Sequence, residues 1–385
     1  MNFAIIAYNH PESSLVLAKH LAKSNQVHYY YITDIKKKSI PGIGYLSDKN
    51  FRIGLNDITL KKDHPLYAYL ADTKLKITVI AYPTFRPKLA WANQLLTSFF
   101  LRKIKKSNYD AINLIGQQEL ILSFYKGLKN SKVIHTLHEV AKHYKEQSLP
   151  NRLIEYLYTN HVPIIVHSSA SYDRLMEQYS FKKNSVTCIP FGLFETYPYF
   201  SPGNIKQDNK AVLFYGFLRP YKGLSTFIKA IKFASEQIPD IKGIIAGGGY
   251  DEALSAIEND QRFTIVNRHL DNDEIASLNQ QATLVVCPYT SASQSGIVMT
   301  SYLFDKPIIA SDIGGFREAI IDGHTGYLVE VNNHIEIGNY IVKLLTDSDI
   351  LTNMQENIKV TYTKGDFNWT QIADKTTEFY KMKKS

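Results

Sequence analysis

Cysteine is scarce in this 385-residue chain: there are two, Cys188 and Cys287, each inside an apolar run. Two such residues cannot build a disulfide framework, which excludes the small stapled secreted class. No apolar run approaches the roughly 18 uncharged residues that a membrane span needs. The opening Met1-Asn2-Phe3-Ala4-Ile5-Ile6 carries no basic region and meets Asn9-His10-Pro11-Glu12 too soon for a secretory signal. Repeats and low-complexity tracts are also missing. With 44% hydrophobic and 21% charged residues, the composition excludes a disordered or fibrous chain. The expectation is a protein of a reducing, cytoplasmic compartment.

Acidic charge is short in the first half only. Residues 1–200 hold 26 Lys and Arg against 14 Asp and Glu, a net +12, whereas the remainder holds 18 against 22, a net −4. Unequal halves imply unequal partners: an anionic membrane surface, a nucleic acid or an anionic substrate for the basic half. No zinc, RRM-like or helix-turn-helix pattern accompanies the charge, which sets nucleic acid aside.

What the chain does have is alternation. Short β-branched runs at Phe3–Tyr8, Val27–Ile32, Ile77–Tyr82, Ala111–Ile115, Lys132–Thr136, Pro163–His167 and Val186–Pro190 are separated mostly by helical patterns. The pattern restarts with Val212–Tyr215, Lys242–Ala246, Phe263–Val266, Thr283–Pro288 and Pro307–Ser311. Strands alternating with helices form parallel βαβ units, and a second series predicts two doubly wound domains. The polar stretch from Ser201 to Asn209, with Pro202 and Gly203, reads as the linker, so the domains are expected to be 1–203 and 204–365.

Ligands of such sheets sit beyond the carboxyl ends of the strands, so the residues after each strand carry the chemistry. After Val212–Tyr215 comes Gly216-Phe217-Leu218-Arg219-Pro220-Tyr221-Lys222-Gly223. Arg219 offers a planar fork of donors and Lys222 a mobile point charge, a pair suited to adjacent phosphates, or merely a basic surface loop. Gly247-Gly248-Gly249 follows the next strand; it permits close approach of backbone to a ligand, or is simply a tight turn. Gln294-Ser295-Gly296-Ile297 opens an apolar helix that includes Thr300, and its free N–H groups and positive dipole end suit a phosphate. Ordinary capping by Ser293 or Ser295 is the alternative. Asp312-Ile313-Gly314-Gly315-Phe316-Arg317-Glu318 again ends a strand at glycines and opens a helix with Glu318.

Taken in order and spacing, these four loops resemble the donor domain of the retaining glycosyltransferases of family 4, over most of residues 130–375. That resemblance implies an α/β protein of GT-B fold: two doubly wound Rossmann-like domains facing a central cleft, with a C-terminal helix within 366–385 returning to the first domain. It implies transfer of a hexosyl unit from a nucleotide-diphosphate sugar to a saccharide or lipid-linked saccharide, without cofactor or metal. Arg219 and Lys222 look like the family's diphosphate-binding pair, although its arginine usually follows the glycine directly, where this chain has Phe217. Gly216, Gly247 and Gly248 match its glycine positions, Val266-Asn267-Arg268 its base-binding strand end, and Glu318 its sugar-side glutamate. The family's two glutamates around the phosphate-binding helix fall on Thr300 and Ala292, and neither is acidic.

In the first half, Val133-Ile134-His135-Thr136-Leu137-His138-Glu139 is similar to the family's Thr-x-His-Asp segment, with His138 at the donor sugar and Glu139 replacing the aspartate. His135, His138 and His143 could also suggest zinc, but their spacing fits no helical metal face. Asp271-Asn272-Asp273 looks superficially like a metal-binding DxD, yet it precedes a helical run and reads as a cap. A sugar-nucleotide epimerase of the same architecture and a catalytically inactive sugar-nucleotide-binding member are the rival functions.

One stretch belongs to none of these motifs. From Arg86 to Lys106 the chain holds six basic residues, no acidic one, and Trp91, Leu95, Leu96, Phe99 and Phe100. This is the composition of a helix lying in an anionic membrane interface. The alternative is that Leu95, Phe99 and their neighbours pack on the first-domain sheet.

Overall fold

The computed structural model describes all residues except 38, 39, 41, 45–50, 86–89, 117, 118, 129, 130, 139, 141–150, 204, 292–295 and 383–385. The described chain forms two compact units, residues 1–192 with the C-terminal helix, and residues 193–368. The first unit runs β1 (Asn2–Ala7), α1 (Pro11–Ala22), β2 (Gln26–Asp34), β3 (Gly54–Ile58), α2 (Tyr67–Leu70), β4 (Leu75–Tyr82), α3 (Ala90–Lys105), β5 (Ala111–Ile115), α4 (Glu119–Gly127), β6 (Val133–Leu137), α5 (Asn151–Thr159), β7 (Ile164–Val166), α6 (Ser169–Gln178) and β8 (Val186–Cys188). Its sheet has the order β3-β4-β2-β1-β5-β6-β7-β8, with every pair parallel except β3 on β4.

The second unit runs β9 (Ala211–Tyr215), α7 (Leu224–Ala234), β10 (Lys242–Ala246), β11 (Phe263–Val266), α8 (Asn272–Gln281), β12 (Leu284–Cys287), α9 (Gly296–Leu303), β13 (Ile308–Ser311), α10 (Gly314–Ala319), β14 (Gly326–Val329), α11 (His334–Thr346) and α12 (Ser348–Lys364). The wholly parallel order β11-β10-β9-β12-β13-β14 is that of a Rossmann domain, with the strand order reversing between β9 and β12. The inner strands are apolar on both faces because helices cover both: all five residues of β9 are buried, and so are all four of β12 and of β13. Finally α13 (Trp369–Met382) packs on the first unit, where Trp369 stacks on His20 and Tyr380 meets Phe3 edge to face.

Two strands escaped the sequence reading. β3 is a half-exposed edge strand, Gly-Leu-Asn-Asp-Ile, without the apolar alternation of a strand. β14, Gly-Tyr-Leu-Val, is short and follows a turn-rich loop. The division between units also falls at 192/193 rather than 203/204. The polar stretch is tied to the second unit: Ser201 Oγ donates to Gln280, the Asp208 N–H to the Gln281 carbonyl, and Lys242 pairs with Asp208.

Candidate functional site

The loops after β9, β10 and β12 interlock at the carboxyl edge of the second sheet. Gly216 N–H donates to Ala246, Leu218 N–H to Gly248, and Thr290 N–H to the Tyr221 carbonyl. Gly216 and Gly247 adopt φ of 103° and 135°, which side chains rarely tolerate, and a Cβ on Gly247 would collide with the Gly216 carbonyl. Here the glycines allow two loops to pack back to back. Gly248 in turn lies against the backbone of Arg268 and His269, which brings the strand end of β11 into the cluster.

Lys222 occupies the centre. Its side chain is buried, its Nζ lies 2.7 Å from where a Gly216 Cβ would stand, and the Ile297 Cδ1 is 3.1 Å from that point. The ammonium stands 5.0 Å from the centroid of the Tyr289 ring, and the Cys287 thiol acts on it electrostatically. Burial pushes the Lys222 pKa down to about 8, and no carboxylate among the described residues compensates it. The same burial raises the Cys287 thiol to about 12, so it stays protonated beside the lysine. Lys222, Gly216, Gly247, Gly248 and Ile297, separated in sequence, are thus brought together.

Other predicted residues take different settings. Arg219 is exposed, with its guanidinium 4.9 Å from the ring of Phe217, the residue standing at the family's usual arginine position. Arg268 is exposed and makes a two-pronged pair with Glu274, whose other bond goes to the Asp271 N–H. Glu274 and Asp271 form a capping box, so Asp271-Asn272-Asp273 starts α8. Asn267 and Glu318 are exposed, the latter on α10, whose Phe316 packs on Tyr289. Thr300 is buried and its hydroxyl donates to the Gly296 carbonyl. Gly296 does not open onto free space: a Cβ there would stand 2.8 Å from the Phe194 ring. Gln294 and Ser295 lie outside the described residues.

His138 belongs to the first unit, just past β6. It is the middle of three imidazoles, stacked on His10 with centroids 3.8 Å apart and on its other side 4.5 Å from His167. Burial, with lesser repulsion from His10, His167 and His135, drives the His138 pKa well below the ordinary range. His135 instead turns into the core, 2.7 Å from the Tyr125 hydroxyl. Among the described residues no group of three or more His, Cys, Asp or Glu side chains is arranged to hold a metal. His143 and Glu139 lie outside them. Sequence reasoning missed His10. Its position at the end of a central strand, beside the point where the strand order reverses, was the available signal.

On α3 the orientation is opposite to core packing of Leu95 and Phe99. Phe100, Leu101 and Ile104 are buried, while Trp91, Leu95 and Phe99 are 64%, 65% and 54% exposed. No helix among the described residues is long and apolar enough to cross a membrane.

Two doubly wound units, the second with its loops gathered around a buried lysine at the carboxyl edge, define an α/β protein of the GT-B class. Known structures of that fold match along the whole chain: HepE of Anabaena, solved with UDP and glucose, has a TM-score of 0.66 at 15% identity and covers 98% of each chain. Sucrose-phosphate synthase of Thermosynechococcus elongatus has a TM-score of 0.68 at 18% identity, covering 99% of this chain and 98% of the other. Residues 198–361, somewhat less than half of the chain, match the family described as glycosyl transferases group 1. The D-inositol 3-phosphate glycosyltransferase of Corynebacterium diphtheriae is 26% identical over 313 residues, 72% of each chain.

Proposed function

We propose that the chain is a retaining hexosyltransferase of family 4, taking its sugar from a nucleotide diphosphate and passing it to a hydroxyl of a saccharide or lipid-linked saccharide in polysaccharide or glycolipid assembly. The observation that carries this reading is Lys222. A buried ammonium with no carboxylate partner among the described residues is costly until an anion arrives, and a diphosphate is that anion. The UDP and glucose bound by HepE are consistent with this choice.

In this reading the bond from the anomeric carbon to the phosphate oxygen breaks as the acceptor oxygen bonds to the same face. The acceptor proton passes to the departing phosphate. The family's glutamate positions are Thr300 and Ala292 here, so double displacement has no carboxylate nucleophile at either. Catalysis is then mostly stabilisation of charge on the leaving diphosphate by Lys222, Arg219 and the start of α9. Fixed cations take the role of a divalent ion, so neither metal nor other cofactor is required. Gly216, Gly247 and Gly248 let the loops close around Lys222, Asn267 and Arg268 are assigned to the base and Glu318 to the sugar, and His138 of the first unit takes its sugar-side role from the family resemblance.

A thermal-shift panel of nucleotide sugars tests donor binding, because a ligand at about 100 times its Kd adds roughly 2.7 kcal/mol to stability. The stabilising donor is then incubated with EDTA, with and without an acceptor panel, and transfer is expected only with acceptor. Donor consumed without acceptor means an epimerase. Binding without turnover over a broad panel means an inactive member. Loss in EDTA restored by magnesium or manganese overturns metal independence.

The exposed stripe of α3 supports a second element of this proposal, peripheral attachment at the cytoplasmic face of an anionic membrane. Trp91, Leu95 and Phe99 recur every four residues on one side of the helix, and Arg102, Lys103, Lys105 and Lys106 follow exposed at its end.

A further inference from the structure

The turn after β1 carries a feature that the donor site does not explain. His10 has φ 55° and ψ 49°, a left-handed conformation that few residues with a Cβ adopt, and its side chain gives α1 no cap. The turn instead lays the imidazole flat on His138, at 15° between planes. On the far side His167 is held by its Nδ1, which donates to the Ile189 carbonyl at 2.8 Å. That bond makes Nε2 a bare acceptor, and it has no partner among the described residues. Phe191 closes the row, 5.1 Å from His167 and 6.1 Å from His138.

We infer that His10 is a positioning residue for His138: it clamps the ring against His167 and holds it neutral, so that His138 meets the donor sugar as an uncharged hydrogen-bond partner. This rests on the reading of His138 as a sugar-side residue. Flanked by two rings, the His138 imidazole is shut off from water, and burial of this kind favours its uncharged form. The titratable groups acting on His138 are His10 from the β1 turn, His167 after β7 and His135 on β6, with Glu139 outside the described residues. Glu12, next but one to His10, acts on Tyr29 and Tyr31 instead and is itself acted on by Lys37. Burial lowers His10 and His167 to about 4 each, so neither supplies a charge at neutral pH. Below the rings Thr136, Ser13 and Trp369 close a cavity of about 20 Å³, space for one water.

The test compares His10→Ala and His10→Phe, whose ring keeps the stack without titrating. Turnover is followed together with the imidazole 15N shifts of His138, assigned by their absence in His138→Gln. His10→Ala should lower kcat about tenfold with donor KM within about threefold, because a loosened ring loses orientation rather than affinity. The same variant should raise the His138 titration midpoint toward the ordinary value of about 6.5. His10→Phe should restore kcat to within about threefold and keep His138 neutral throughout. The inference fails if His10→Ala leaves both kcat and the His138 titration unchanged in a folded protein. His138→Ala with full turnover would instead sink the role of His138 itself. His138→Ala impaired beside an unaffected His10→Ala overturns the clamp alone.

Discussion

The Lys222 ammonium stands on Gly216: its Nζ lies 2.7 Å from the place a Cβ on Gly216 would take. The two are six positions apart, and Gly223, just after the lysine, lies against the Pro288 carbonyl. The glycine is therefore part of the cation's setting.

Gly216→Ala should consequently act on donor binding much as Lys222→Ala does. Losing one charge-assisted contact to a diphosphate should cost on the order of 2 kcal/mol, roughly thirtyfold in affinity. The double variant should bind little worse than Lys222→Ala alone, because both changes remove the same contact. Calorimetric titration of the four proteins with donor decides this, and additive losses would show that Gly216 acts by another route.

Donor affinity should also depend on pH in one direction. Burial lowers Lys222 to about 8, so in the free protein it is charged below that pH and neutral above it. A bound diphosphate favours the charged form and lifts the pKa. Between about pH 8 and 9.5 binding should take up a proton and the donor Kd should rise by up to tenfold per pH unit. Below about 7 the pH dependence should vanish, because Lys222 is already charged in the free protein. An affinity flat across this range would place the diphosphate elsewhere.

The buried histidines predict acid lability. His10 and His167 are lowered to about 4, His135 to about 3, and His138 well below its ordinary value, in each case mainly by burial. Unfolded histidines take protons near 6.5 whereas these take them only at lower pH, so their contribution is complete above about 6.5 and lost as pH falls toward 4. Each adds a slope of about 1.4 kcal/mol per pH unit in that window. Glu12 runs the other way: burial raises it to about 7, which offsets one histidine between its ordinary pKa and that of histidine. Urea unfolding at stepped pH should show stability collapsing below about pH 6.5, and His135→Gln should flatten the slope if it still folds. Unchanged midpoints from pH 7 to 5 would contradict a neutral buried cluster.

Both sheets were legible because parallel strands covered on two faces read as apolar runs, and because their loops announce themselves with glycine. Lys222 and its glycines therefore emerged as a group. Contacts between distant stretches were not legible. Nothing near His10 in sequence announces His138, 128 positions away, and nothing at Gly296 announces the Phe194 ring. The pairing of Arg268 with Glu274 was hidden similarly, since both ends read as site and cap separately. On α3 the difficulty was different. Apolar residues occur on both sides, so periodicity did not say which side faces the core.

That orientation yields the last prediction. Asn93, Thr97, Phe100, Leu101 and Ile104 face inward, and Leu101 fits against Gly127 of α4, which leaves Trp91, Leu95 and Phe99 outward. Burying three large apolar side chains in a core gains nothing here, because they are outside it. In the headgroup region of a bilayer their insertion is favourable, and each nearby basic residue adds about 1 kcal/mol on an anionic surface. Lys103, over the Phe99 ring at 5.2 Å, can keep its charge at headgroup level as the ring inserts. The protein should therefore sediment with anionic vesicles at low salt, weakly with neutral ones, and less with either at high salt. A Trp91→Ser, Leu95→Ser, Phe99→Ser variant should lose most of this binding while its melting temperature stays unchanged, since the three residues support no core. Protein left in the supernatant with anionic vesicles at low salt would show that the stripe serves no membrane, and the +12 of the first 200 residues would then point to an anionic acceptor.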